Sequence, residues 1–201
     1  MYRIIKRGLD IIIASVAVIV LSPVMLLTAL AIKIDSKGPV IFRQERLGFK
    51  GRPFKIFKFR SMVTGAEKTG SGVYSFKGDA RVTNVGRFIR ATSIDELPQL
   101  FNILKGEMSL IGPRPALTYH PWPYEQYTDH QKRMFDALPG ITGYAQIHGR
   151  KDVPWPQRIE LNIYYVDNIS FMLDMKILFS TVLKVITNAD NNNSTKTADN
   201  A

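Results

Sequence analysis

Cysteine is absent from the chain. That excludes disulfide staples and thiolate metal sites, and it is compatible with a reducing compartment. Histidine is scarce, and the spacing of the three residues present, His120, His130 and His148, matches no zinc site. Acidic residues are outnumbered, 17 Asp and Glu against 27 Lys and Arg, which leaves a formal net charge of +10. A balance of this size calls for an anionic partner: nucleic acid, an anionic membrane surface or a phosphate-rich substrate. No nucleic-acid-binding motif accompanies the charge, so nucleic acid is set aside. No internal repeat divides the chain, and 201 residues suit one domain with a real core.

One absence is local. Residues 11–32 hold no charged side chain, and as helix these 22 residues reach ~33 Å, enough to cross a bilayer core. The stretch is too long for a signal peptide, and no small-x-small cleavage site precedes Lys33. Two features oppose a simple span. Pro23, preceded by Ser22, sits mid-segment, where proline removes a backbone donor and crowds the carbonyl four residues back. Both flanks are also basic: Arg3, Lys6 and Arg7 before, Lys33, Lys37, Arg43 and Arg46 after. If both obey the preference of positive residues for the cytoplasmic side, the segment enters and leaves by one face, as a helix-break-helix hairpin. A kinked transmembrane helix is the alternative from physics alone.

Beyond it, Ser36-Lys37-Gly38-Pro39 punctuates the chain, and residues 40–42 and 54–59 read as short strands, the second alternating apolar and basic. Residues 65–79 form a polar, glycine-containing stretch expected to be a mobile loop. Helices are expected over 94–104, stopping near Gly106, and over 124–138, 157–166 and 170–186. In the last, Phe171, Met175, Leu178, Val182 and Ile186 fall at helical spacing. Such a stripe is a core face, or an interfacial one in a membrane-anchored basic protein. Residues 188–201, rich in Asn, Ser, Thr and Asp, read as a disordered tail.

The chemistry concentrates at Ser93-Ile94-Asp95-Glu96-Leu97-Pro98-Gln99-Leu100. Structurally, Asp95 reads as a helix N-cap with Pro98 in the first turn, or Ser93 and Glu96 as a capping box. Functionally, a helix N-terminus favours phosphate, and two adjacent carboxylates can divide metal binding and attack on phosphorus. Phosphoryl transfer also needs cations. Arg114 lies between Pro113 and Pro115, Lys58-Phe59-Arg60 supplies two more, and Gly149-Arg150-Lys151 another pair. Each of these alone is also an ordinary surface charge.

Taken in order, Lys6-Arg7-Gly8-Leu9-Asp10, Leu21-Ser22-Pro23, Gly38-Pro39-Val40-Ile41-Phe42-Arg43-Gln44, Phe57-Lys58-Phe59-Arg60-Ser61-Met62, the Asp95-Glu96 segment, Asn102-Ile103-Leu104-Lys105-Gly106-Glu107-Met108-Ser109, Gly112-Pro113-Arg114-Pro115 and Pro139-Gly140-Ile141-Thr142-Gly143 resemble the bacterial sugar transferase family, specifically its small monotopic phosphoglycosyl transferases. The resemblance runs from about Lys6 to about Ile186. It implies a mainly helical α+β fold: a re-entrant membrane helix over 1–35 broken at Ser22-Pro23, a cytoplasmic catalytic domain over 36–187 with short strands and interfacial amphipathic helices, then the tail. It also implies the cytoplasmic face of the bacterial inner membrane. The reaction implied is ping-pong. Asp95 is the nucleophile and Glu96 its partner; a UDP-sugar gives up UMP to leave a phosphosugar-aspartyl intermediate, which a polyprenyl phosphate such as undecaprenyl phosphate then attacks. Mg²⁺ near Asp95 is implied, with Lys58 and Arg114 near the phosphates and Arg150 a further nucleotide or phosphate contact. Arg60 joins them as a phosphate-binding candidate.

The chain departs from the family where many small members have asparagine before the Gly-Arg pair and this one has His148, and in the 65–79 loop. No sugar preference is therefore carried over, and capsule, exopolysaccharide and glycoprotein pathways stay open. The chain reads as close to the minimal catalytic unit, without the multi-span N-terminal region of larger members. The competing reading is a non-catalytic membrane-tethered scaffold, which the intact Asp95-Glu96 pair opposes.

Overall fold

The computed structural model describes residues 1–187 apart from 71, 73, 74, 77 and 150–152, with only the backbone at 185 and 186. The expected tail at 188–201 and Arg150 therefore lie outside the described residues. The fold is mixed and mostly helical. In order it runs α1 (Tyr2–Asp35), β1 (Ile41–Leu47), β2 (Pro53–Phe59), α2 (Asn84–Ala91), α3 (Gln99–Lys105), β3 (Ser109–Ile111), α4 (Asp129–Lys132), β4 (Gly140–Thr142), α5 (Tyr144–Ile147), α6 (Trp155–Asp167) and α7 (Phe171–Thr187).

The uncharged run forms most of α1, one 34-residue helix with Pro23 inside it. The expected helix-break-helix is thus a continuous helix. Its continuity has a local cause. Pro23 cannot donate to the Ile19 carbonyl, and the Ser22 hydroxyl donates to that oxygen instead, at 2.8 Å. One stripe of α1 packs on the domain: Ala14 joins a core with Ile56, Leu100, Ile103 and Met108, and Ile32 joins another with Phe59 and Ile89. The remaining faces expose Ile4, Ile12, Ile19, Leu26, Leu27 and Ile34.

Polar bonds hold both ends of α1. At the start, Tyr2 donates to Asp174 at 2.6 Å, Lys6 pairs with the same carboxylate at 2.9 Å, and Tyr165 donates to it at 2.8 Å. Asp10 accepts from the Ser109 hydroxyl at 2.7 Å and the Leu110 amide at 3.0 Å. Arg7 donates to the carbonyls of Ile103 and Met108. At the far end Asp35 accepts from the Val85 amide at 3.0 Å, in the first turn of α2. Arg60 donates to the Lys37 and Ser36 carbonyls at 2.6 and 2.7 Å, and to Ile32. A cation on the terminal carbonyls of a helix suits the negative end of its dipole.

β1 and β2 form an antiparallel hairpin, with Phe42 opposite Lys58, Gln44 opposite Ile56 and Arg46 opposite Phe54. Directly opposed residues share a face, so Arg46 and Lys58 project to one side. The hairpin is fastened to α3 by Asn102, which is completely buried. Its amide oxygen accepts from the Phe57 N–H at 2.9 Å, and its NH₂ group donates to the Lys55 carbonyl at 2.8 Å and to Glu107 at 2.7 Å. Gly106, at φ 86°, ends α3 where the sequence placed the stop. The parallel pair β3–β4, with Ser109 opposite Gly140 and Ile111 opposite Thr142, brings Gly112-Pro113-Arg114-Pro115 beside Pro139-Gly140. The backbones cross so closely that a Cβ on Gly140 would lie 2.1 Å from the Gly112 nitrogen.

Two other expectations change, those for residues 124–138 and for the stripe on α7. The helix expected over 124–138 is divided into short turns around α4, restarted by a capping box of Thr128 and Gln131. The 65–79 stretch, where described, is stitched together by Arg81, which donates to the carbonyls of Ala66, Thr69 and Gly72 and to Asp79. The stripe on α7 is not a core face: Phe171, Leu178 and Val182 are exposed. The buried side carries Asp174 and Ile177, because Asp174 must face Tyr2, Lys6 and Tyr165.

Replacing Asn102 by alanine should cost about 2–4 kcal/mol, since the Phe57 N–H, the Lys55 carbonyl and Glu107 all lose a buried partner. Denaturant unfolding of the detergent-solubilised chain measures this, and a loss below about 0.5 kcal/mol would show that the clamp is dispensable.

Candidate active site

Ser93, Asp95 and Glu96 do not cap a helix. Ile94–Glu96 is a single tight turn with no side-chain cap, and α3 begins only at Gln99, with Pro98 at the cap position. Both structural explanations for the acidic pair therefore fail. Ser93, which leads into the turn, has φ 58°, a left-handed conformation that costs a non-glycine residue about 1 kcal/mol. The turn presents two adjacent carboxylates to the inner side of the hairpin.

There Lys58 meets Glu96, Nζ to Oε1 at 2.6 Å, with both side chains about three-quarters covered. Burial pushes the Asp95 carboxyl up to about 6. Lys58 and Arg90 pull against this, while the neighbouring Glu96 charge adds to it. The same cavity is rimmed by Arg46, Gln99, Arg114 and Pro115. Its space of about 20 Å³ has room for about one water.

Of the residues singled out in the sequence, Glu96, Lys58 and Arg114 line this cavity, and Asp95 lies close enough for Lys58 and Glu96 to act on its charge. Arg60 does neither. It is buried at the C-terminal end of α1, with its terminal nitrogens bound to Ile32, Ser36, Lys37 and Thr64; the alternation of basic residues along 58–60 ends where β2 ends, at Phe59. Ser22 and Pro23 lie on exposed α1 and touch none of this. Arg150 is outside the described residues. Arg46 and Gln99 were not anticipated. Arg46 counted only as a flanking charge, although strand parity places it on the same hairpin face as Lys58.

No three His, Asp or Glu side chains converge into a metal site among the described residues. Adjacent Asp95 and Glu96 do fit a hard cation of the Mg²⁺ kind, which takes one or two carboxylates and completes its shell with water and substrate phosphates.

A family model described as bacterial sugar transferase matches residues 1–188. The chain is 46% identical over 184 residues to a UDP-glucose:undecaprenyl-phosphate glucose-1-phosphate transferase of Klebsiella pneumoniae, covering 89% of this chain and 39% of that protein. It is 44% identical to the uncharacterized sugar transferase EpsL of Bacillus subtilis, covering 91% and 88%. It is also 44% identical to a UDP-N-acetylgalactosamine-undecaprenyl-phosphate N-acetylgalactosaminephosphotransferase of Aeromonas hydrophila, covering 92% and 44%. The chain thus spans about two fifths of the Klebsiella and Aeromonas proteins and most of the Bacillus one.

The raised Asp95 value makes a stability prediction. Its carboxyl titrates near 3.8 when unfolded and about 6 when folded, so the folded state is penalised by the ionised group. The penalty is absent below pH ~4 and complete above ~6. Asp95→Asn should therefore stabilise the protein at pH 7.5 by about 1–2 kcal/mol once solvent screening is allowed for. The gain should fade as pH falls from 6 to 4, and melting curves across that range show whether it does.

Proposed function

The chain belongs to the bacterial sugar transferase family, and on that premise we propose that it moves a sugar 1-phosphate from a UDP-sugar to a polyprenyl phosphate at a membrane surface, releasing UMP. Asp95 carries the reading. It is a carboxylate with no capping role, partly desolvated, one residue from Glu96 and within electrostatic reach of the cations Lys58 and Arg90. Desolvation raises the nucleophilicity of an ionised carboxylate, and the surrounding cations favour the phosphoryl charge.

In the first half-reaction an Asp95 carboxylate oxygen bonds to the β-phosphorus of the donor. The bond from that phosphorus to the bridging oxygen breaks, and UMP leaves with the electron pair. Lys58 exchanges Glu96 for a phosphate oxygen, and Arg114 meets the diphosphate at the rim. In the second half-reaction a polyprenyl phosphate oxygen bonds to the same phosphorus and Asp95 is released as carboxylate. Mg²⁺, held by Asp95 with Glu96 in reach, offsets diphosphate charge when bound.

The membrane arrangement we propose keeps both ends of α1 on the cytoplasmic face of the inner membrane, with the exposed apolar side of this continuous helix set into the leaflet without crossing it. It is supported by both ends of α1 being bonded to the same folded domain, through Asp174 at one end and Arg60 and Val85 at the other. The start of α7 adjoins the start of α1, where the exposed Phe171 ring meets that of Tyr2 with centroids 6.4 Å apart. The site then stands at headgroup level, where a lipid phosphate is found.

UMP release from a panel of UDP-sugars, with Mg²⁺ and undecaprenyl phosphate, tests the reaction. One donor should give acceptor-dependent release, and Asp95→Asn should lower it by at least ~10³-fold. Omitting the acceptor should leave a phosphosugar adduct on the wild-type chain. Full activity in Asp95→Asn would reject the nucleophile. With Asp95 required ionised, kcat/KM should fall as pH drops through about 6.

Topology is tested separately. The chain has no cysteine, so single cysteines at Ile4 and Lys37 report cleanly. A membrane-impermeant thiol reagent should reach both from the same side, and labelling from opposite sides would establish a span.

A further inference from the structure

The hairpin has a second face. Arg43 and Glu45 on β1, and Lys55 and Phe57 on β2, alternate with Gln44, Arg46, Ile56 and Lys58, so they project away from the face that carries Lys58. Together with the loop that follows α3, this outer face forms an open cavity of about 440 Å³, within the size range of ligand sites. Three cations line it: Arg43, Lys55 and Lys105. Among the described residues, the side chains of Arg43 and Lys55 donate no hydrogen bond and join no ion pair. Lys105 Nζ lies 3.9 Å from Glu107 and 4.8 Å from the centroid of the Phe57 ring. The Arg43 guanidinium lies 5.6 Å from the same centroid. The ring thus gathers two cations at one place. Two carboxylates, Glu45 and Glu107, also line the cavity, and Glu107 is already bound by Asn102. Three cations against two carboxylates leave a net charge of +1.

The cavity adjoins α1 at two points. Arg7 donates to the carbonyls of Ile103 and Met108, and a Cβ on Gly106 would lie 3.6 Å from its Nη2; Lys105 and Glu107 flank that glycine. In the same turns of α1, Ile4, Ile5, Leu9 and Ile11 are exposed. At the second point, Phe54 lines the cavity and packs against the core that α1 enters through Ala14. On the membrane arrangement proposed above, the cavity therefore stands at headgroup level. A phosphodiester headgroup brings one negative charge to a net of +1, and its apolar tail continues along Phe54 and Phe57. A free phosphate has no apolar part for those rings to cover, and a diphosphate carries more charge than the site offsets.

We propose that this cavity seats the phosphodiester headgroup of an anionic phospholipid, with Arg43, Lys55 and Lys105 around the phosphate and Glu45 accepting from a headgroup hydroxyl. The seat lies on the opposite face of the hairpin from Lys58, so this lipid is a fixture of the domain and not the substrate. A single apolar helix leaves the domain free to roll about the helix axis; a headgroup held beside the hairpin fixes that roll.

The test is titration calorimetry of short-chain phosphatidylglycerol, below its critical micelle concentration, into the full-length chain in nonionic detergent. One lipid should bind per chain, about fivefold or more tighter than phosphatidylcholine of the same chain length, whose headgroup has no net charge. UMP should not displace it. Arg43→Gln and Lys55→Gln should each weaken it about fivefold. Both side chains are exposed, and if one variant fails to fold the other carries the test. Lys50→Gln removes an equal charge at the hairpin tip, outside the cavity, and should leave the affinity unchanged. Equal affinity for the two lipids, displacement by UMP, or an equal loss in Lys50→Gln would overturn the seat. Inorganic phosphate binding as tightly as the lipid would overturn it too, by assigning the cations to a free anion. Failure of the membrane arrangement is seen separately, as labelling of cysteines at Ile4 and Lys37 from opposite sides.

Discussion

The site depends on one buried amide. Asn102 has a donor group and an acceptor on one planar head, and it satisfies both a carbonyl and an N–H of β2 while its own backbone belongs to α3. No apolar side chain could do this, and a carboxylate would repel the Lys55 carbonyl and Glu107. The clamp fixes the distance between hairpin and helix. Because the Ile94–Glu96 turn leads directly into α3, the clamp also fixes how Glu96 stands to Lys58. The chemistry sits on a short turn, but the turn inherits its position from a rigid contact two helical turns away.

A net value of +10 conceals two groups of basic residues with different roles. Lys6, Arg7 and Arg60 are internal fasteners: each reaches carbonyls or a carboxylate that ties α1 to the domain. Lys58, Arg46 and Arg114 form the second group, gathered in one cavity with Glu96. Only the second bears on an anionic substrate. The basic residues flanking α1 at its N-terminal end are therefore poor witnesses to the membrane potential, since the fold itself requires them.

Much of this was legible in the sequence. The uncharged run forms most of α1, the strands read at 40–42 and 54–59 fall within the hairpin, Gly106 stops α3, and Glu96 pairs with Lys58 in a cavity that Arg114 also lines. What was not legible depended on contacts between distant segments. Asp95 resembles a cap because Pro98 is close, but Pro98 takes the cap position itself and starts the helix at Gln99. Lys58-Phe59-Arg60 looks like one basic face, yet the strand ends between them and Arg60 turns to the end of α1. Arg46 belongs to the site through the register of a hairpin partner, which local periodicity does not reveal. The α7 stripe misled for a related reason: helical spacing shows that a face is apolar, and only Asp174, held by three partners from elsewhere, decides which face is inside.

The Ser22 hydroxyl that covers the Ile19 carbonyl makes residues 22 and 23 a coupled pair. With proline at 23, losing the hydroxyl strands a carbonyl on the apolar face of α1, a penalty of several kcal/mol in hydrocarbon. With any other residue at 23 the helix supplies its own N–H, and the serine becomes dispensable. The order of change therefore matters. A lineage can leave this arrangement by altering position 23 first and 22 afterwards, whereas the opposite order passes through a defective intermediate.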